Sequence, residues 1–446
     1  MTDLRGNPVS TTSAAALAHA ETALWRMCSF FDAPIADIDA ALAEDPAWML
    51  PHVMRASFLL TLTEPSLLAD AHAALAQAEA LAANANERER AHLAAARACA
   101  SGDWHGACAS WEAILLRHPR DLYALQWAHL FDFYRGDAAN LRHRVARVLP
   151  EWPAGDPLRP YLLGMHAFGL EECNRYGEAE AAGREAVSGT AKVPWATHAV
   201  AHVMEMQGRW ADGQRWLRDH AADWSEGNGF AGHLWWHLAL FHLEAMDLDG
   251  ALALHDAHQG SAHSVLTLQR LDGAALLWRL QLLDADVGAR WDDLALGWDL
   301  SPAGAGHSAF NDLHALLVLI GQRRMADAKA LVDAVEQRAT GNEAGSNAAM
   351  AREVGLPLMR GLVELMEGRN DAALRHLLPV RDDAHRFGGS HAQRDLIAQT
   401  ILAAAAGAKD RSAGRALLNE RRLAKPPTPL PEQWMRRIGA RHADPR

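Results

Sequence analysis

The chain has 446 residues, half of them apolar, and 43 Lys and Arg against 55 Asp and Glu give a net charge of −12. This length exceeds one ordinary globular domain, which leaves two or three domains or one elongated array. The acidic balance opposes sequence-independent nucleic-acid binding and attraction to anionic membranes, and no apolar run reaches the roughly 20 residues of a membrane-spanning helix.

The start, MTDLRGNPVSTTS, lacks the basic and then apolar stretches of a secretory signal. Cys28, Cys99, Cys108 and Cys173 form no CxxC pair, so neither a zinc ribbon nor a disulfide framework is indicated. A reduced, soluble, cytoplasmic protein without nucleic-acid or membrane partners is expected. Two counts are high: 24 His and 16 Trp.

Along the chain, FDAPIADIDAALAEDP ends at Pro46. Residues 102–119, GDWHGACASWEAILLRHP, align without a gap with the second helix of a tetratricopeptide repeat. Gly102 and Asp103 form the inter-helix turn, Trp104, Ala107, Trp111 and Ile114 follow helical spacing, and Pro119 closes the unit. Weaker copies follow as RGDAANLRHRV, NRYGEAEAAGREAV, GRWADGQRWL, MDLDGALALHDAH, GRNDAALRHLL and GAKDRSAGRALL. Gly102 to Gly136 is 34 residues, as is Arg175 to Arg209, and later intervals are longer and irregular. Strand-type alternation is absent. The pattern predicts an all-α fold: a superhelical array of tetratricopeptide-like helix pairs, an α-solenoid. It runs as a single domain over 1–446, with 425–446 a Pro-rich and basic C-terminal edge.

In WATHAVAHVMEMQGRW, His198, His202 and Glu205 fall within roughly 60° of arc on one helix. Phasing on Gly208 puts them at the groove-lining positions of a first helix. The next unit, GHLWWHLALFHLEAMDLDG, places His233 on the same face and His237 at its edge. Neighbouring helix axes lie about 8–10 Å apart, so the two i, i+4 pairs can converge. The HxxxH lacks the glutamate of an HExxH protease, since Ala199 follows His198. A buried, hydrogen-bonded polar network is the plainer alternative.

Further candidates come later. HDAH brings Asp256 and His258, which point about 200° apart on a regular helix and need a local break to act together. In FNDLHALL, Asn311 and His314 share a face whereas Asp312 and His314 do not. In GGSHAQRDL, His391, Arg394 and Asp395 follow a Gly-Gly turn, and the bland reading of Arg394 and Asp395 is a solvated surface pair.

Over nearly its whole length the chain resembles the tetratricopeptide repeat protein 38 family. The matching strings are STTS (10–13), HAVAHVMEM (198–206), HLWWH (233–237), DAH (256–258), FNDLH (310–314), GLPL (355–358) and GGSHAQRD (388–395). The resemblance implies a cytosolic, repeat-built α fold and no settled reaction. It also emphasises polar residues with acid–base ability where a pure scaffold would emphasise packing residues.

These residues favour a small-molecule enzyme, hydrolase-like in its acid–base chemistry. His198, His202, Glu205, His233, His237, Asp256, His258 and His314 are the catalytic candidates. Trp236, Asn311, Asp312, His391, Arg394 and Asp395 are the substrate-binding ones, with Arg394 suited to a carboxylate or phosphate. His198, His202, His233 and His237 could instead hold a divalent metal such as zinc. No Gly-rich phosphate loop or GxSxG elbow is present, so no nucleotide cofactor is expected. The rival is a non-catalytic scaffold binding a peptide or small ligand in its groove; homo-oligomerisation stays open.

Overall fold

The computed structural model describes residues 1–341 and 345–439. Among them the fold is all-helical, and the only extended pairings are the isolated bridges Thr2–Pro8 and Phe31–Asn228. None of these helices is long and apolar enough to cross a membrane. Residues 440–446, the end of the expected basic edge, lie outside the described residues.

The contacts group the described residues into two compact units: 1–200 with 220–231 and 345–346, and 201–219 with 232–341 and 347–439. Unit 1 contains α1 (Ala14–Ser29), α2 (Ile35–Glu44), α3 (Leu50–Thr61), α4 (Leu68–Leu81), α5 (Glu87–Ala100), α6 (Trp104–Arg117), α7 (Leu122–Tyr134), α8 (Ala138–Val148), α9 (Arg159–Glu172) and α10 (Tyr176–Gly189). The division falls within α11 (Pro194–Met206). Unit 2 continues with α12 (Trp210–Asp219), α13 (Ala231–Glu244), α14 (Leu248–His258), α15 (Thr267–Leu282), α16 (Arg290–Ala295), α17 (Ala309–Gly321) and α18 (Met325–Thr340). It closes with α20 (Leu356–Met366), which follows α19 (Ser346–Met350), then α21 (Asn370–Leu377), α22 (His391–Gly407), α23 (Ser412–Ala424) and α24 (Pro429–Gly439). Helices pack mainly on their sequence neighbours, as in an α-solenoid.

One turn geometry generates this succession. A left-handed residue recurs at Gly102, Gly136, Asn174, Gly208, Met246, Asp284, Arg323 and Gly368, with φ between 59° and 82°. At each, the next residue donates its N–H to a carbonyl five residues back, from Asp103 to Ala98 through Arg369 to Glu364. That bond satisfies a carbonyl left open by the ending helix, as in the Schellman closure. At Asp103, Asp137 and Asp247 the same next residue also caps the following helix through its carboxylate. Two residues thus end one helix and start the next.

In unit 1 the string STTS has a structural explanation. The Ser10 N–H donates to Glu89, Thr11 Oγ1 to Asp45 at 2.6 Å, and Ser13 caps α1. Arg5, Asp3 and Glu21, with Arg88, Asp121 and His92, form further buried ion pairs around the N-terminal segment.

Unit 2 is organised around α15, which packs on α16, α17 and α22. Every residue from Arg270 to Leu280 is buried. GLPL also has a packing role. A π-helical turn, Ala351–Gly355, joins α19 to α20, and its wider ring relieves the clash that Pro357 would make with a preceding carbonyl. A Cβ at Gly355 would sit 3.2 Å from Ala309 of α17.

The packing of α8 on α9 generates a stability prediction. A Cβ at Gly169 would lie 2.5–2.6 Å from the backbone of Leu141 and Arg142, whereas one at Gly177 meets nothing within 4 Å. Gly169→Ala should therefore destabilise unit 1 by about 1–3 kcal/mol through overpacking. Gly177→Ala should be neutral or stabilising by up to ~1 kcal/mol. Equal melting temperatures for the two variants would refute the close α8–α9 approach.

Candidate functional site

The unit 2 part of α11 and two further helices of unit 2 bring a polar cluster into an apolar interior. On α11, His202 and Glu205 are three residues apart and share a face. On α13, in AGHLWWHLALFHLE, His233 and His237 are one turn apart in a helix apolar nearly all round. The third helix is α15, whose Asp272 reaches the cluster. His202 and His237 are wholly buried and Glu205 is 9 % exposed, while the His233 side chain, at 14 %, is the most open.

A hydrogen-bonded chain runs through four of these groups. Glu205 Oε2 is 3.1 Å from His237 Nδ1, His237 Nε2 is 3.2 Å from His233 Nε2, and His233 Nδ1 is 2.8 Å from Asp272 Oδ2. The His202 ring lies 4.5 Å from that of His237. Burial pushes the Glu205 carboxyl up to about 8, with Lys425 opposing. Burial, then the imidazoles of His202 and His233, hold His237 well below its ordinary value. At neutral pH Glu205 thus keeps its proton and His237 is uncharged. With a single proton shared between the facing Nε2 atoms, each imidazole Nδ1 is left to its own acid, Glu205 for His237 and Asp272 for His233.

The surroundings carry further charge. Arg279, two turns along α15 from Asp272, is buried, and burial lowers its guanidinium to about 10 with Asp395 and Glu205 opposing. It donates to the carbonyls of Ala275, Ala392 and Gln393 at 2.7–3.2 Å and lies over the Trp236 ring at 5.5 Å. Trp236, a substrate-binding candidate from the sequence, is wholly buried and stacks on His233 at 5.2 Å. Asp395 pairs with Arg421 rather than with Arg394, and accepts from Gln399 at 2.8 Å. Burial disfavours its charge, yet Arg421 holds it well below the usual carboxylate range. Lys425 pairs with Glu244 at 3.1 Å.

His198, in the unit 1 part of α11, sits among Phe168, Trp195 and Phe230 at ring distances of 5.0–5.4 Å. The other candidates have their own partners. Asp256 is bound by Arg290 at the surface, and His258 stacks on Trp235 at 4.1 Å. His314 Nδ1 donates to the Phe310 carbonyl at 2.8 Å, and burial lowers the imidazole to about 4. Asn311 lies in the first turn of α17, its N–H capped by Ser308. His391 begins α22 next to the Ser390 cap, and Arg394 donates to the Gly389 carbonyl.

Asp272, Arg279, Arg421 and Lys425 are the members of this region that the sequence reading lacks. A signal for the first two is present: opposite charges seven residues apart, hence on one face, inside the apolar run of α15. One nitrogen from each of His202, His233 and His237 lies within 4.8 Å of the other two, so these three could hold a metal ion. No family model matches the chain.

The buried Asp312 gives a pH prediction. Burial raises its carboxyl to about 7, although it accepts from the Gly306 N–H at 3.0 Å. A folded-state value above the unfolded one contributes stability below about pH 4 that is lost as pH rises towards 7, on the order of 4 kcal/mol at most. Asp312→Asn keeps an acceptor and removes that loss, so it should melt above the wild type at pH 8 and near it at pH 4. Parallel melting curves across that range would contradict the buried-carboxyl assignment.

Proposed function

We propose that the chain is a small-molecule hydrolase, a cytoplasmic enzyme built on a tetratricopeptide-like superhelix, with its acid–base centre at His202, Glu205, His233, His237 and Asp272. The observation that carries this reading is the chain Glu205–His237–His233–Asp272, set in helices whose neighbouring positions are apolar. Packing alone would be served by apolar side chains, since a buried polar network is costly unless every member is satisfied. Two imidazoles held by carboxylates suit the activation of water at neutral pH.

In this reading a water at the open edge of His233 attacks an ester, amide or related bond. The cluster accepts the water's proton and returns one to the leaving group. Asp272 and Glu205 fix the orientation and tautomer of the imidazoles.

The reading is tested by screening small esters, amides and related compounds, then comparing variants on any substrate found. Asp272→Asn and His202→Ala should lower turnover by about 10²–10⁴-fold. A purely structural role would instead cost roughly 1–3 kcal/mol of stability. Variants that melt early yet keep wild-type turnover per folded molecule would sink the catalytic assignment.

A further inference from the structure

We infer that His202, His233 and His237 form a binding site for one divalent ion of the zinc type, with Glu205 and Asp272 bracing two of the three ligands. This deepens the hydrolase reading of the same cluster: with an ion in place, the activation of water passes from the imidazoles to the metal-bound water.

The first argument is the direction of the ring nitrogens. In both His233 and His237 the Nδ1 is engaged by a carboxylate, and the two Nε2 atoms face one another at 3.2 Å. Metal-ligating histidines show this division of labour: one nitrogen on the ion, the other hydrogen-bonded to a carboxylate or carbonyl that fixes the ring. For mere packing, one carboxylate per imidazole and a nitrogen-to-nitrogen contact is a costly choice, because the facing pair can share only one proton.

The second argument is distance. Tetrahedral zinc with bonds of 2.0–2.1 Å sets its ligand nitrogens about 3.3 Å apart. The His233–His237 pair already has this spacing. The three candidate ligand atoms lie within 4.8 Å of one another, so His202 moves inward by at most about 1.5 Å.

The third argument is donor chemistry. Three imidazole nitrogens suit zinc, copper, nickel or iron, and not magnesium or calcium, which prefer oxygen. Glu205 and Asp272 each engage the Nδ1 of one ligand without occupying a coordination position of the ion. Where these three imidazoles are the only protein ligands, the fourth tetrahedral position takes water, whose pKa falls to about 7 on zinc.

The test uses the purified full-length chain, stripped with a chelator and titrated with Zn²⁺ and with Co²⁺, whose visible absorption reports four-coordinate binding. We expect one ion per folded chain. His233→Ala and His237→Ala should abolish stoichiometric binding, Asp272→Asn should weaken it about 10–100-fold, and His258→Ala should leave it unchanged. The wild-type titration decides the matter even where a histidine variant fails to fold. Folded wild type that takes up neither ion, or Asp272→Asn and His233→Ala that bind as tightly as wild type, would overturn the site. A chain that binds the ion and hydrolyses nothing keeps this inference and counts against the hydrolase reading. Hydrolysis by protein shown to be metal-free does the reverse.

Discussion

Unit 2 depends on how the charges of α15 are satisfied. A helix buried continuously from Arg270 to Leu280 carries both a carboxylate and a guanidinium on one face. Taking either group out of water costs several kcal/mol unless partners replace the lost hydration. Arg279 meets this with three backbone carbonyls and the face of Trp236, which ties the first turn of α22 and the middle of α13 to α15. Asp272 meets it with His233. From there the remaining contacts follow in order: His233 engages His237, and His237 engages Glu205. The imidazoles are oriented because a buried acid behind them needs a partner.

Legibility in the sequence followed physical range. Helical succession was readable where the turn used its commonest chemistry, a glycine followed by a capping aspartate, as at Gly102 and Gly136. The same turn at Asn174, Met246, Asp284 and Arg323 has the same backbone without glycine, and after Gly208 the turns are spaced 38 to 45 residues apart, so the longer, irregular intervals are real. The two i, i+4 histidine pairs were readable because helical periodicity is local. Asp272 was not, because α15 reads as a core helix and its charges look like exceptions to it. The partner of Asp395 lay beyond any local rule: Arg421 is 26 residues away, whereas the adjacent Arg394 turns to the Gly389 carbonyl.

The strings behind the family resemblance divide into two kinds. STTS and GLPL cap, clamp and accommodate a proline. HAVAHVMEM and HLWWH carry the histidine and glutamate side chains of the buried network. FNDLH and GGSHAQRD do both: Gly389 admits the Phe310 ring, to which its Cβ would come within 2.5 Å, while Asp395 belongs to the charged surround. A rare string is therefore no guide by itself to chemistry.

The way unit 2 ends has a consequence for its synthesis. Thr428 donates to Glu244 across 184 residues, Lys425 pairs with the same carboxylate, and a side chain at Gly208 would meet Thr428 and Pro426. Helix pairs stacked on their neighbours can form one after another as the chain leaves the ribosome, and arrays with only local contacts fray from their ends. A latch from the last helices back to α11 and α13 changes that. Its loop must close before those contacts form, so the region around Glu205 gains its full surround only after residues 425–428 have been made. Until then the nascent protein carries most of its helices and an unfinished centre, and once closed, unit 2 opens as a whole rather than pair by pair.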